Sequence, residues 1–364
     1  MKKLFVLCIG VLISANFLTC SANAQQKDPY LTRSFPASSI KEVEAVASGG
    51  SITVSGDAGS QAVVEVFVTR DKWSADEIKR ALEENYTIEI NVANGKLFVE
   101  AKAKNRITNW NRQGLSISFK ISVPRQVNSN LRTSGGSISI SNLTGSQDFT
   151  TSGGSLSAEN ITGRIAGKTS GGSIKIENSN DNIDLQTSGG SITAKECNGK
   201  INLKTSGGSI TMSNLSGTIK AGTSGGGLNM SNISGSIEAN TSGGSVKANN
   251  VNGELKTGTT GGSVNLDGIS GSVEAKTTGG SMNVTMQSVN DYVKLSCTGG
   301  SLNLTIPDGK GYNLNVSASN NLETSALSGF RGDVTNGGRN MKGTVNNGGT
   351  EIDVKGQRVK LTFK

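Results

Sequence analysis

Chemistry at neutral pH needs a base, a nucleophile or a metal cradle, and this chain offers few of them. It has no histidine, which removes the side chain most used as a general base and as a metal ligand. Glycoside chemistry needs two carboxylates grouped within roughly 5 to 10 Å, and here the acids are scattered. Glu159 and Glu177 hold the same place in consecutive repeats, and no adjacent repeat adds a third acid to that column. Beyond the first 24 residues the chain keeps two of its four cysteines, Cys197 and Cys297, which stand 297 − 197 = 100 residues apart. If the chain winds as described below, that separation exceeds ~20 Å at ~4.8 Å per turn, whereas a disulfide needs Cα atoms within about 7 Å. Both are expected as buried free thiols acting as small hydrophobes. Arg331-Gly332-Asp333 spells an integrin-binding tripeptide, but three letters in a glycine-rich chain have little specificity. The sequence therefore assigns no catalytic residue, no cofactor-binding residue and no metal ligand.

What the chain has instead is a repeat. The phrase Thr-[Ser/Thr]-Gly-Gly opens at Thr133 and returns every 18 residues at Thr151, Thr169, Thr187, Thr205, Thr223, Thr241, Thr259 and Thr277, with a looser copy at Cys297. Counting that Thr as position 1, position 6 is aliphatic or Met throughout, from Ile138 to Met282, and position 8 is apolar. Positions 15 and 17 form a second apolar pair, as in Ile183/Leu185 and Ile201/Leu203. A spacing of two is the period of a strand with one buried face. Two short strands per repeat are expected, with Gly-Gly at positions 3 and 4 and a glycine at position 13 (Asp181 excepted) supplying the positive φ of tight corners. Strict repetition without insertion is the mark of a solenoid, each rung pairing in parallel with the next at ~4.8 Å.

Stacking places equal positions above one another. Position 10 carries Asn142, Asn160, Asn178, Asn214, Asn232 and Asn250, expected as a structural asparagine ladder with each amide bonding to the next. Position 5 is a serine column broken at Gly227, and position 16 alternates Lys220, Glu238, Lys256, Glu274, so opposite charges should pair between rungs. A calcium-binding roll, built from paired nonapeptides, would need glycine at 138 and aspartate at 140, where the chain has Ile138 and Ile140.

Residues 1–24 read as a secretory signal: Lys2 and Lys3, an apolar run from Leu4 to Leu18, then Ala22-Asn23-Ala24 before the cleavage point. Cys20 raises acylation as an alternative, although Phe17-Leu18-Thr19 fits a lipoprotein signal poorly. The apolar run is too short for a membrane span, so no transmembrane segment is expected in the mature chain. Its net charge becomes 8 − 2 = +6, and aromatics are 4% of residues. A nucleic-acid partner is not expected from so diffuse a charge with so few stacking side chains.

Residues 25–132 should form an N-terminal strand and helix cap continuous with the solenoid, because Ala47-Ser-Gly-Gly-Ser-Ile-Thr-Val54 is a stray copy of the repeat phrase. Ala62–Val68, Tyr86–Val92, Lys96–Ala101 and Leu115–Val123 read as strands, and Ser74-Ala-Asp-Glu77 opens a short helix with a capping box. Trp73 and Trp110 are expected to fill the core under this cap. The regular solenoid spans residues 133–308, and residues 309–364 hold wider rungs and a C-terminal cap whose final strands close the other end.

The phrase TSGGSI with its 18-residue period, a strand–helix–strand segment ending in ISVP before it, and the NGGTEIDV close together resemble the bacterial putative-adhesin family of β-strand-repeat domains. The resemblance covers about Ser34 to Lys364. It implies an all-β repeat fold and a surface or envelope role, and it offers no catalytic residues to carry across.

The fold expected is an all-β, single-domain parallel β-solenoid. The function expected is that of a non-enzymatic, adhesin-like envelope or cell-surface scaffold whose flat repetitive faces bind an unknown protein or polysaccharide. It would be exported to the periplasm, the outer-membrane surface or the exterior, without a cofactor. The alternative is a carbohydrate-active β-helix enzyme, a polysaccharide lyase or hydrolase.

Overall fold

The computed structural model describes residues 28–104, 114–325 and 329–364. The expected signal peptide at residues 1–24, Cys20 and Trp110 lie outside the described residues.

Alternating aliphatic and small polar side chains favour extended backbone with one buried face, and the chain is all-β accordingly. Among the described residues there is one α-helix, Ala75–Asn85, and one short 3-10 turn, Ala37–Ser39; the strands all join a single sheet. No helix among the described residues is long and apolar enough to cross a membrane.

Within the repeats, each residue pairs in parallel with the one 18 positions on: Ile174 with Ile192, Ile192 with Ile210, Ile210 with Leu228. The second row runs the same way, from Ile165 through Ile183, Ile201 and Ile219 to Ile237. Both rows face one continuous apolar core. Ile174, Ile192 and Ile210 are at most 2% exposed, and burying a side chain of this size stabilises by about 1.5–3 kcal/mol. Within the second row two stacked inward positions are polar, Ser129 and Gln147. Gln147 is fully buried among these aliphatics, and its amide is satisfied by Ser129 Oγ at 2.5 Å and by the carbonyl of Val127 at 2.8 Å.

The expectation of two short strands per repeat holds for the earlier repeats, for example Ile174–Glu177 and Asn180–Thr187. From Ile210 onward the ladder runs unbroken around the bend, as in Ile210–Thr223, Leu228–Thr241, Val246–Thr259 and Val264–Thr277.

The two ends use one topological device. Strand Glu42–Ala47 lies between Lys96–Ala103 and Asn128–Thr133, parallel to both. Strand Ile52–Ser55 likewise lies between Ser116–Ser122 and Ile138–Ser141. The stray repeat phrase is thus stacked directly on the first regular repeat, with Ile52 opposite Ile138. Beyond it the pairing turns antiparallel: Tyr86–Ala93 on Lys96–Ala103, and Leu31–Pro36 on Gln61–Thr69, which itself lies antiparallel to Ser116–Ser122. The helix carries the expected capping box, Ser74 Oγ accepting from the Glu77 N–H and Glu77 Oε2 from the Ser74 N–H at 2.7 Å. It buries Ile78, Ala81 and Leu82. Trp73 is half-buried against the core, with the Arg70 guanidinium 5.1 Å from its ring centre.

At the other end the expectation needs correcting. The final strand, Thr350–Phe363, does not close the sheet but sits between Met282–Ile306 and Tyr312–Thr324, parallel to both. Its inward Ile352, Val354, Val359 and Leu361 have the same alternation as a repeat and are at most 2% exposed, so it fits an internal place. The outer edge is built by Asn340–Val345 and Arg331–Thr335, each antiparallel to its neighbour. Arg331-Gly332-Asp333 lies in that exposed outer strand.

Ile192→Asp should place an unpaired carboxylate between Ile174 and Ile210 and cost several kcal/mol. Thr193→Asp, on the outward side of the same strand, should cost within about 0.5 kcal/mol. Denaturant melts of the two variants with equal midpoints would show that the inward and outward phases are misassigned.

Candidate functional site

The recurring Thr-Gly-Gly corner is where most of the polar groups of the repeat converge. The opening threonine points inward and is buried, from Thr133 at 7% exposed to Thr277 at 0%. A buried hydroxyl needs a partner, and each finds one in the preceding repeat. Thr151 Oγ1 donates to the carbonyl of Gly136 at 2.8 Å and accepts from the Gly154 N–H at 3.3 Å. The same pair of bonds recurs at Thr169, Thr187, Thr205, Thr223, Thr259 and Thr277, and Thr241 Oγ1 donates likewise to the carbonyl of Gly226. Sequence reasoning used this threonine only as a phase marker; its constancy beside a second position that accepts either Ser or Thr was the available signal. Where Cys297 replaces it, the thiol takes over, with Sγ 3.4 Å from the Gly280 carbonyl.

The glycines have a different role from the one expected. The second corner glycine has no positive φ; a methyl group at Gly154 would instead lie 2.0 Å from the carbonyl oxygen of Gly136. At Gly153 the nearest atom would be 3.7 Å away, so close approach, and not backbone conformation, selects glycine at the second place. At position 13 both reasons apply: Gly217 has φ 117° and its Cβ would fall 2.1 Å from the Gly199 oxygen. The left-handed turn expected of Gly-Gly lies at position 10, where Asn142, Asn160, Asn178, Asn214, Asn232 and Asn250 have φ between 50° and 57°. Asparagine tolerates that conformation better than other side chains. Ladder bonds join Asn160 to Asn142 at 3.1 Å, Asn232 to Asn214 at 3.0 Å and Asn250 to Asn232 at 3.2 Å. Glu196 interrupts the column in the same backbone conformation, φ 54°. The serine column bonds upward as well, the N–H of Ser173 to Ser155 Oγ and of Ser191 to Ser173 Oγ, both at 3.2 Å.

Outward side chains pair less regularly. Lys220 meets Glu238 at 3.2 Å, but Lys256 turns to Glu254 on its own strand at 3.0 Å instead of to the glutamates on either side. Glu254 also accepts from the Tyr292 hydroxyl at 2.7 Å. The Tyr292 bond and the Lys256 contact hold its carboxyl below the usual range. Partial burial and the Glu254 carboxylate push the Tyr292 phenol up to about 12. The stabilisation from that neutral phenol is present below its ordinary value near 10 and is lost as the pH rises towards 12. Glu177, beside Glu159, is taken by Lys175 at 2.9 Å, which lowers its carboxyl. Among the described residues no group of three or more His, Cys, Asp or Glu is placed to hold a metal ion. Cys197 and Cys297 are buried and unpaired, and burial pushes the Cys197 thiol up.

Two open grooves lie along the second-strand side. One, 560 Å³, follows the exposed margin of the threonine column past Lys168, Gln186, Ser188, Lys204 and Ser206. Another, 480 Å³, is lined by Arg164, Asp184, Lys200, Asn202 and Lys220, and it shares Lys204 with the first. A larger cavity of 830 Å³ at the N-terminal end has Arg70, Asp71 and Gly114 in its wall.

Repeats of this pattern over residues 195–358 match the family model described as Toastrack DUF4097. That match spans less than half of the chain. No curated protein matches the chain. Among solved structures, a putative cell adhesion protein from Clostridium sporogenes covers 92% of this chain and 97% of its own at 8% identity and TM-score 0.21. A putative lipid binding protein from Parabacteroides distasonis covers 77% and 97% at 16% identity and TM-score 0.37. A putative adhesin from Bacteroides fragilis covers 75% and 96% at 14% identity and TM-score 0.24. Likenesses this remote transfer no activity or partner.

The corner geometry gives three outcomes that melting can check. Gly154→Ala should destabilise by about 3 kcal/mol or more, because the obstruction is backbone and cannot swing away, while Gly153→Ala should change stability by less than about 1 kcal/mol. Glu196→Asn should stabilise by about 1 kcal/mol, since it relieves a left-handed glutamate and can join the ladder between Asn178 and Asn214. Thermal or urea melts check all three, and a destabilised Glu196→Asn variant would sink the account of position 10.

Proposed function

We propose that the chain is a non-enzymatic scaffold of the bacterial envelope or cell surface: a single parallel β-solenoid of 18-residue rungs whose flat faces bind a partner. In this reading residues 25–132 and 309–364 form the two ends and residues 133–308 the regular rod. The parallel pairing of positions 18 residues apart supports the winding. The observation that carries the scaffold reading is the use made of the repeated polar groups. Threonine hydroxyls, corner glycine amides, serines and asparagines bond to the neighbouring repeat, so they hold the stack and leave the outward strand positions free to vary for recognition. The signal-like start of the chain supports export to the periplasm, the outer-membrane surface or the exterior.

A polysaccharide lyase or hydrolase is the competing reading. It needs paired carboxylates or a metal with a strong base, and the acids at Glu177 and Glu254 are engaged by lysines. Purified full chain incubated with bacterial envelope fragments should sediment with them and release no sugar ends. Release of reducing or unsaturated sugar ends would favour the enzyme, and absence from every envelope fraction would remove the scaffold reading.

A further inference from the structure

The fold dictates the inward aliphatics and the corner residues, but it makes no demand on the outward side chains at positions 14, 16 and 18. Their charge is nevertheless uneven along the rod. In the two grooves that meet at Lys204, the basic side chains are Arg164, Lys168, Lys200, Lys204 and Lys220 against the single carboxylate of Asp184, or 5 − 1 = +4. Further along the same face Glu238 and Glu274 balance Lys256 and Lys276. Like charges on neighbouring strands repel and lower stability, so folding does not account for the cluster.

Arg164 is held by Asp148, and Lys220 by Glu238 at 3.2 Å. Lys168, Lys200 and Lys204 are exposed and make no ion pair among the described residues. Asp184 faces amides instead, Asn202 Nδ2 at 2.8 Å and Gln186 Nε2 at 3.3 Å. Lys168 and Lys204 occupy the same position two repeats apart, ~10 Å along the stack, with Gln186 between them. Beside them runs a row of exposed hydroxyls, Ser188, Ser206 and Ser224. No aromatic side chain lines either groove, so bases would find no stacking platform.

We infer that this groove binds a linear acidic polysaccharide, lying along the stack with its anionic groups on Lys168, Lys200 and Lys204 and its sugar hydroxyls on the serine and amide row. An extended chain with an acid on every second sugar would place successive acids on Lys168 and Lys204, and such paired weak contacts add by multivalency. The inference deepens the scaffold reading and rests on it.

The test uses the full chain with three labelled probes: hyaluronate, which has an acid on every second sugar, neutral dextran, and oligo-dT. Hyaluronate should bind at low salt and be released at high salt, dextran should not bind, and oligo-dT should bind less tightly than hyaluronate. Lys168→Gln/Lys204→Gln should weaken hyaluronate binding about tenfold. Lys256→Gln/Lys276→Gln, on the balanced stretch, should change it less than about twofold. All four positions are exposed, and unchanged melting curves would confirm intact folding. Equal losses from the two variants, or no salt-sensitive hyaluronate binding, would overturn the inference, and tighter binding of oligo-dT would replace it with a nucleic-acid site. Envelope sedimentation by a chain that ignores hyaluronate leaves the scaffold reading standing while this inference falls. Failure of sedimentation itself removes the scaffold.

Discussion

At the second glycine of each corner, the backbone of one repeat approaches the backbone of the previous one so closely that a methyl group would sit about 2 Å from a carbonyl oxygen. That contact sets the rise of the stack at its tightest point. It brings each buried threonine hydroxyl within 2.8 Å of the glycine carbonyl of the preceding repeat, and it aligns the strands so that aliphatic side chains fall on aliphatic side chains. A side chain at this one place would push two repeats apart and loosen the threonine bond and the ladder together. At position 13 a second close approach, reinforced by positive φ, fixes another corner. With two corners pinned, the register of everything between them follows.

Such a stack leaves its two terminal edges with unpaired backbone groups that would template further pairing. The chain manages both by the same means. A strand from its own N-terminal region and one from its C-terminal region are taken inside the sheet, between parallel neighbours, and antiparallel strands form the outer edges. Contacts between residues far apart in sequence, such as Ile52 with Ile138 and Tyr292 with Glu351, then tie the ends to the middle. Parallel, long-range pairing of this kind is slow to form.

Surface charge and architecture are divided by the alternation of the strand. Inward positions are mostly apolar because the core is continuous, and corner positions are nearly constant because most polar groups there bond to the neighbouring repeat. The outward positions vary most. The cluster around Lys204 and the Glu254–Tyr292–Lys256 group lie on this side, where a substitution changes charge with little effect on packing.

Local pattern determined much of this in advance. The period of two in the apolar pairs, the 18-residue return of Thr-Gly-Gly and the Ser74–Glu77 capping box each depend on residues near one another, so the strands, the helix and the asparagine column were legible before any coordinates. The order of the strands at the ends was not, because a strand with repeat-like alternation pairs equally well at an outer or an internal place, and only the connections around Thr350–Phe363 and Glu42–Ala47 decide which. The corner chemistry was misread for a related reason: glycine is chosen both for positive φ and for close approach, and nothing in a sequence says how near the next backbone lies. That distance, and with it the roles of the second glycine, the buried threonine and the left-handed asparagine, was decided only when one repeat was laid upon another.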